Sequence, residues 1–322
     1  GSMSKRFGGR VVLVTGASRG IGAAAASRLA AEGADVAIVA RTLDHHPTLP
    51  GSLTDTAGRI RSFGVRAAVV VADLTDPDDR ARIVDEAVDA LGPIDVLVNN
   101  AAASIGGSIL DFPAKRVRLS MEANVVAPLE LAQRVVPGMV ERGQGWVMNV
   151  GSTAGDVPMP NMATYSGSKA FVKFFTEALR LETRDTGVVV NLLAPGPVNT
   201  ESFNKSRPWR EGEKIPYPAL FLEPNRVALE ALDALEVSAA LGLSEAEASE
   251  FGREAGIAVR TLAAAEATAA DVAAHAPELV CTAGGDGTLL RTATLLPPST
   301  PLLAINTDPE RSTGALCSAH LS

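Results

Sequence analysis

The sequence predicts an α/β fold with a doubly wound parallel sheet, followed by a partial second α/β segment. Three observations carry this. Short apolar runs alternate with helix-like stretches over the first two-thirds of the chain. Several of those runs are dominated by Val and Ile, as strands covered on both faces require. A glycine-rich turn directly follows the first run and opens a helix-like stretch.

The strand-like runs are "VVLVTG" (11–16), "DVAIVA" (35–40), "RAAVVVAD" (66–73), "IDVLVNN" (94–100), "GWVMNVGS" (145–152) and "VVVNLLAP" (188–195). Helical stretches at 21–32, 78–91 and 163–186 lie between them, and 114–136 reads as another long helix. The segment 41–56, "RTLDHHPTLPGSLTDT", contains Pro and Gly and reads as a solvated loop. Its His45 and His46 have no Cys, Asp or Glu cluster to complete a ligand set, so no metal site is expected.

After about residue 200 the composition shifts. Residues 201–225 mix Pro, Trp, Phe and Tyr without a period, as a lid or linker does. From 225 the chain turns Ala- and Glu-rich and helical. A second α/β pattern follows: "GIAVRTL" (256–262), a helix (269–275), "ELVCT" (278–282), a helix (287–296) and "PLLAIN" (301–306). The expected organisation is a domain at 3–205, a junction at 206–242 and a partial segment at 243–322, with Gly1 and Ser2 set aside as a remnant of expression.

Bulk properties narrow the function class. With 322 residues the chain holds one large domain or two, and 46% hydrophobic residues suffice for a core. A net charge of −8 argues against a broad nucleic-acid or membrane surface and favours a small-molecule enzyme. No secretory leader is evident, and no run reaches about 18 uninterrupted apolar residues. Cys281 and Cys317 are the only cysteines, which gives no disulfide framework and suits a reducing cytoplasm.

The first glycine loop is "TGASRGIG". Gly16 permits a tight turn, and Gly20 and Gly22 let the backbone approach a pyrophosphate at a helix N-terminus, the Rossmann-type arrangement. By itself such a loop is weak evidence, since an ordinary strand–helix turn can look the same. Further along, "YSGSK" places Tyr165 and Lys169 on one face of a helix. A lysine there can lower the pKa of a nearby phenol, and a tyrosine so tuned serves as general acid or base. Taken alone, the pair also reads as a half-buried aromatic beside a solvated lysine. Ser152 ends the fifth run, where a hydroxyl can hold a substrate oxygen.

As a set these residues resemble the short-chain dehydrogenase/reductase family over roughly residues 8–200. The parts stand in the family's order: "TGASRGIG", Asp73 in "ADLTD", "NNAA" at 99–102, Asn124 in "ANVVAP", Ser152 in "NVGSTAG", "YSGSK" at 165–169 and "PGPVNT" at 195–200. The resemblance implies a catalytic tetrad of Asn124, Ser152, Tyr165 and Lys169. Tyr165 would exchange a proton with the substrate oxygen and Ser152 would position that oxygen. Lys169 would lower the tyrosine pKa and hold the nicotinamide ribose, and Asn124 would anchor a proton-relay water. The dinucleotide would meet Gly16, Ser18, Arg19, Gly20, Ile21 and Gly22 in the glycine loop. Asp73 and Leu74 would lie at the adenine, Asn100 and Ala101 on the adenosine ribose side, and Pro195, Gly196, Val198 and Thr200 at the nicotinamide and its phosphates. Ala102 departs from the family's usual Gly but keeps a small residue. The family's customary seventh strand is not evident. By resemblance the chain forms a dimer or tetramer, with 114–136 and 163–186 as candidate interface helices.

An acid at the end of the second strand would accept from the ribose 2′-OH of NAD. Here Ala40 and Arg41 stand there, and Arg19 sits in the glycine loop. Two arginines suit a 2′-phosphate, so NADP(H) is favoured over NAD(H). The expected substrate is a small carbonyl compound or alcohol.

A second glycine loop, "AGGDGTLLRTA", precedes "PLLAINTDPERSTGALC". Over roughly residues 243–322 this resembles the NAD kinase family, most closely its mitochondrial form. Gly284, Gly285 and Gly287 free the backbone to wrap phosphate and Thr288 opens a helix. The resemblance implies that Asp286 acts on the NAD 2′-OH, as base or through a metal, and that Asn306 contacts nucleotide. The family's first strand and C-terminal β-rich domain are not evident, so both halves look cut near 205–245. Three readings stand: an NADP(H)-dependent oxidoreductase, an NAD kinase or bifunctional enzyme, and a non-catalytic nucleotide-binding remnant.

Overall fold

The computed structural model describes residues 5–110, 112–157, 160–196, 198, 200, 223–225, 227, 228, 280–283 and 302–305. The chain divides into two units, 1–235 and 236–322.

In the first unit six strands form one parallel sheet: β1 (Val11–Thr15), β2 (Asp35–Ala40), β3 (Ala67–Val71), β4 (Val96–Asn99), β5 (Gly145–Val150) and β6 (Val188–Leu193). Their order is β3-β2-β1-β4-β5-β6. The chain runs outward from β1 to β3, then returns to place β4 on the other side of β1. That reversal is a topological switch point, and ligands bind beyond the carboxyl ends of the strands there. The register Val12↔Val36 and Val12↔Val96 shows β1 held centrally on both edges.

Alternate residues of the strands feed two cores. Val11, Leu13, Ala37 and Val39 pack on one face with Ile83, Ala87, Leu131 and Val135. Val12, Val14, Val36 and Ile38 pack on the other with Leu29, Leu53, Ala57 and Ile60. The first face is covered by α3 (Pro77–Leu91) and α5 (Ala127–Glu141), with Phe175 and Leu179 of α6 (Ala163–Glu182) packed against it. The second is covered by α1 (Gly20–Ala31) and α2 (Leu53–Ser62).

Two local features differ from the sequence expectation. The solvated loop expected at 41–56 ends early, because Ser52 caps α2 by accepting from the Asp55 amide at 3.0 Å, and Leu53 and Thr56 are fully buried. The helix expected at 114–136 runs from α4 (Ala114–Met121) through a π-helical turn, Glu122–Val126, into α5.

In the second unit the described residues form two strands, β7 (Val280–Ala283) and β8 (Leu302–Ile305), paired in parallel from Val280↔Leu302 to Ala283↔Ile305. The glycines 284, 285 and 287, Asp286, Thr288 and Asn306 lie outside the described residues.

Candidate active site

A cleft of about 890 Å³ opens over the carboxyl ends of the strands in the first unit. Of the residues that the sequence singles out there, all but Gly22 and Asn124 line it. Gly22 lies beneath the glycine turn: a Cβ at that position would come within 2.4 Å of the Gly16 carbonyl oxygen. Gly16 itself has φ +68°, and its Cβ would meet the Ala101 backbone at 2.8 Å. Both positions therefore require glycine. Asn100 holds this turn from below, its side-chain amide donating to the carbonyls of Thr15 at 2.8 Å and Gly16 at 3.3 Å.

At the N-terminus of α1, Arg19 occupies the capping position without a side-chain cap. The first-turn amides thus donate to no capping side chain, in an electrostatic setting that favours an anion. The glycine turn and this helix end fit a dinucleotide pyrophosphate.

At the other end of the cleft Lys169 and Asn124 are buried, and Tyr165 and Ser152 are half-buried. Lys169 is buried, and its Nζ donates to the Val150 carbonyl at the end of β5, 2.6 Å away. Burial lowers its pKa from 10.5 to about 8. Its Nζ lies 5.9 Å from the Tyr165 ring centroid. Burial pushes the Tyr165 phenol up, and a hydrogen bond with Ser152 opposes that rise. Ser152 in turn accepts from the Ala154 amide at 3.1 Å, which fixes its hydroxyl at the start of a 3₁₀ turn. In the protein as folded, burial outweighs any lowering of the tyrosine pKa.

Asn124 sits behind this group, fully buried in the π-helical turn. Its Oδ1 accepts from the Ala103 amide at 2.7 Å, and its Nδ2 donates to the Ala103 carbonyl at 3.1 Å and to Ser168 Oγ at 2.9 Å. Ser168 donates onward to the Tyr165 carbonyl at 2.7 Å. Asn124 thereby joins three elements: its own helix, the segment after β4 and the first turn of α6. The extra residue of a π-turn is what re-aims a side chain at such a junction. Ser168 is the member of this hydrogen-bond network that sequence reasoning passed over, although it lies inside "YSGSK".

The end of the cleft at Arg41 and Asp73 is more exposed. Arg41 pairs with Asp73 at 3.5 Å, the two being 68% and 37% exposed, so the pair is weak. Asp73 also accepts from the Thr75 amide and hydroxyl, both at 2.9 Å. Arg19 donates to the carbonyls of Pro50 and Gly51. His45 and His46 line the cleft, and His46 Nδ1 accepts from the amides of Thr48 and Leu49. Among the described residues no group of His, Cys, Asp or Glu is arranged to hold a metal ion, and no helix is long and apolar enough to cross a membrane.

Sheet order and glycine turn define a dinucleotide-type α/β fold, with the half-buried Tyr165 and Ser152 and the buried Lys169 gathered at one end of its cleft. Comparison with known proteins agrees: the model of the short chain dehydrogenase family matches residues 10–211, and the chain belongs to that family. It is 35% identical over 191 residues to the ketoacyl reductase HetN of Nostoc, covering 59% of this chain and 64% of that protein. It is 33% identical over 204 residues to a very-long-chain 3-oxoacyl-CoA reductase of Anas platyrhynchos, covering 62% and 63%. The chain therefore spans just under two thirds of the length of these two relatives. Among solved structures it is similar to a short-chain dehydrogenase from Sphingobium yanoikuyae in complex with NADPH, with TM-score 0.62 and 31% identity, covering 71% of this chain and 85% of that one.

Proposed function

We propose that the first unit is an NADP(H)-dependent oxidoreductase that interconverts a carbonyl compound and an alcohol. The observation that carries this is the half-buried Tyr165, hydrogen-bonded to Ser152, beside a buried Lys169 at the end of a cleft that begins at a glycine turn. The relatives named for ketoacyl and 3-oxoacyl reduction support the reaction class, and the NADPH complex supports the cofactor class.

In the reducing direction Tyr165 gives its phenolic proton to the substrate oxygen while the Ser152 hydroxyl holds that oxygen in place. The nicotinamide supplies the hydride to the carbonyl carbon when the dinucleotide is bound. In the oxidising direction the tyrosine oxygen takes the alcohol proton back. Lys169, anchored on the Val150 carbonyl, places a positive charge beside the phenol and favours its ionised form. Asn124 fixes the start of α6, and with it Tyr165, through Ser168. The glycine turn, Asp73, Leu74, Asn100, Ala101 and the segment from Pro195 to Thr200 hold the dinucleotide.

NADP(H) is favoured over NAD(H) because Ala40 leaves no carboxylate at the end of β2, while the exposed Arg41 next to it can reach a 2′-phosphate. We further propose a cytoplasmic enzyme that acts on a small molecule and assembles as a dimer or tetramer. NADPH offered with a panel of carbonyl compounds (a 3-oxoacyl thioester, an alkyl ketone, an aromatic aldehyde) tests the activity. Oxidation of NADPH with at least one of them is expected. Its absence with all of them, while NADPH still binds, would leave a nucleotide-binding protein without this chemistry.

A second reading concerns residues 243–322. The parallel register sets Ala283 beside Ile305, so the two strands that precede Gly284 and Asn306 in the sequence end side by side. Strand ends of this kind are where α/β sheets hold nucleotides. This favours a partial kinase-like segment, separate from 3–205 and joined through 206–242, that binds nucleotide without phosphoryl transfer. Formation of NADP⁺ from NAD⁺ and ATP, lost in Asp286→Ala, would overturn the absence of transfer.

A further inference from the structure

Among the described residues two cations are buried: Lys169 in the cleft and Arg80 on α3. The reaction uses the first and leaves the second without a task. A buried charge is costly unless it is paired and hydrogen-bonded. The Arg80 guanidinium is met from three directions. Its Nη1 donates to the Leu74 carbonyl at 2.9 Å, and its Nε donates to Glu130 Oε2 at 2.6 Å. Glu122 Oε2 lies 3.0 Å from Nη1 as an ion pair. A planar, forked cation can serve several fixed partners at once, which a single ammonium does less well.

These partners belong to two walls of the cleft. Leu74 lies in the segment after β3, where Asp73, Leu74 and Thr75 all line the cleft. The neighbouring Asp79 holds the same segment, accepting from the Asp73 amide at 2.6 Å. Glu122 opens the π-helical turn, and Glu130 stands in the first turn of α5 directly after it. The residue after Glu122, Ala123, lines the cleft. The next, Asn124, accepts from the Ala103 amide and donates to Ser168. Core filling alone does not call for a charge here, since an apolar side chain of similar volume is often as stable as a buried ion pair. What the apolar side chain lacks is a tie to the backbone of one wall and to the carboxylates of the other.

We propose that Arg80 is a positioning residue that ties the segment after β3 to the π-helical turn and holds the two walls of the cleft at one spacing. It acts through Leu74 on one side and through the turn that carries Ala123 and Asn124 on the other. The first wall serves NADPH and NADH alike, so Arg80 does not discriminate between them. The second wall leads through Asn124 to the start of α6 and Tyr165. The proposal rests on the cleft holding a nicotinamide dinucleotide, as proposed above.

The test uses the full chain with Arg80→Leu and, separately, with Glu122→Gln and Glu130→Gln together. The two carboxylates are 39% and 40% exposed, so water can take them up when the arginine is replaced. Amide hydrogen exchange is followed at Asp73 and Thr75 on one wall and at Ala103, the partner of Asn124, on the other. Kd values for both dinucleotides and kcat are measured alongside. Arg80→Leu is expected to speed exchange at all three amides while β1 and β2 stay protected. It is expected to raise Kd for NADPH and NADH equally, about tenfold, the order of one hydrogen bond to a charged group, and to lower kcat by a similar factor. The double glutamine variant keeps the Leu74 contact. It is expected to speed exchange at Ala103 and lower kcat about threefold, the order of one weakened hydrogen bond, with Kd unchanged. Exchange that rises alike throughout the sheet, with Kd and kcat kept, would make Arg80 a stability element alone and overturn the proposal. Unchanged exchange at either wall in Arg80→Leu would overturn it too. Should Arg80→Leu fail to fold, unchanged Ala103 exchange in the double variant overturns it. Failure of the unaltered chain to bind either dinucleotide would instead overturn the reading of the cleft, and exchange alone would then decide whether Arg80 ties the walls.

Discussion

The two ends of the cleft are built in opposite ways. At the redox end Lys169 and Asn124 are buried, and each polar atom that matters is spoken for by a strand end or a helix. At the adenosine end Arg41, Asp44 and His45 are exposed, and the wall is a loop closed by its own hydrogen bonds. Proton transfer demands fixed geometry and tuned pKa values, which burial on rigid elements supplies. Recognition of a charged, mobile nucleoside needs only reachable donors and a wall that stays in place. The difference teaches where damage is expected to be chemical and where it is expected to be a matter of affinity.

The largest expected effect lies at the redox end. Tyr165→Phe removes the transferable proton, and turnover should fall by about 10²–10⁴-fold with dinucleotide Kd unchanged. A parallel loss of binding would break the division of labour between the two ends.

Lys169→Met comes next, and it separates function from stability. The folded protein holds this lysine at about 8, below its ordinary 10.5, because it is buried. Between those values the unfolded chain binds the proton and the folded one does not, so stability rises with pH across that window. Below about pH 8 the full penalty applies, on the order of 3 kcal/mol by linkage. The methionine variant should lose activity and lack this rise in stability above pH 8 in urea titrations. The unaltered chain should gain stability over the same range.

Asn124→Ala leaves the half-buried Ala103 amide and the buried Ser168 without this partner, and urea unfolding should report a loss of about 2–4 kcal/mol. The smallest expected effect belongs to the exposed end. Arg41→Ala should raise Kd for NADPH about tenfold and leave NADH unchanged, since only the 2′-phosphate contact is lost. Equal effects on both cofactors would place Arg41 outside the phosphate contact.

The sequence makes most of the first unit legible for a physical reason. Strands buried on both faces must be apolar throughout, so runs such as "VVLVTG" and "DVAIVA" announce themselves. Glycines 16 and 22 are legible because nothing larger fits. Helix α2 begins inside a segment read as loop, since the Pro- and His-rich stretch hides the Ser52 cap. The π-helical turn is invisible for another reason: a single extra residue does not disturb an apolar pattern enough to show. The partners of Arg19 and Arg41 were equally out of reach, because the loop carbonyls and Asp73 come near them only through the tertiary fold. The tyrosine pair was legible as a pattern, while the dominance of burial over charge at Tyr165 was not.

The most direct test of the central claim follows the hydride itself. NADPH deuterated at the transferable C4 position is supplied with the carbonyl panel, and the alcohol product is analysed by mass spectrometry. The account predicts one deuterium at the carbinol carbon with the unaltered chain, and NADPH binding without that transfer in Tyr165→Phe. No deuterated alcohol from the unaltered chain, or equal transfer in Tyr165→Phe, would contradict it.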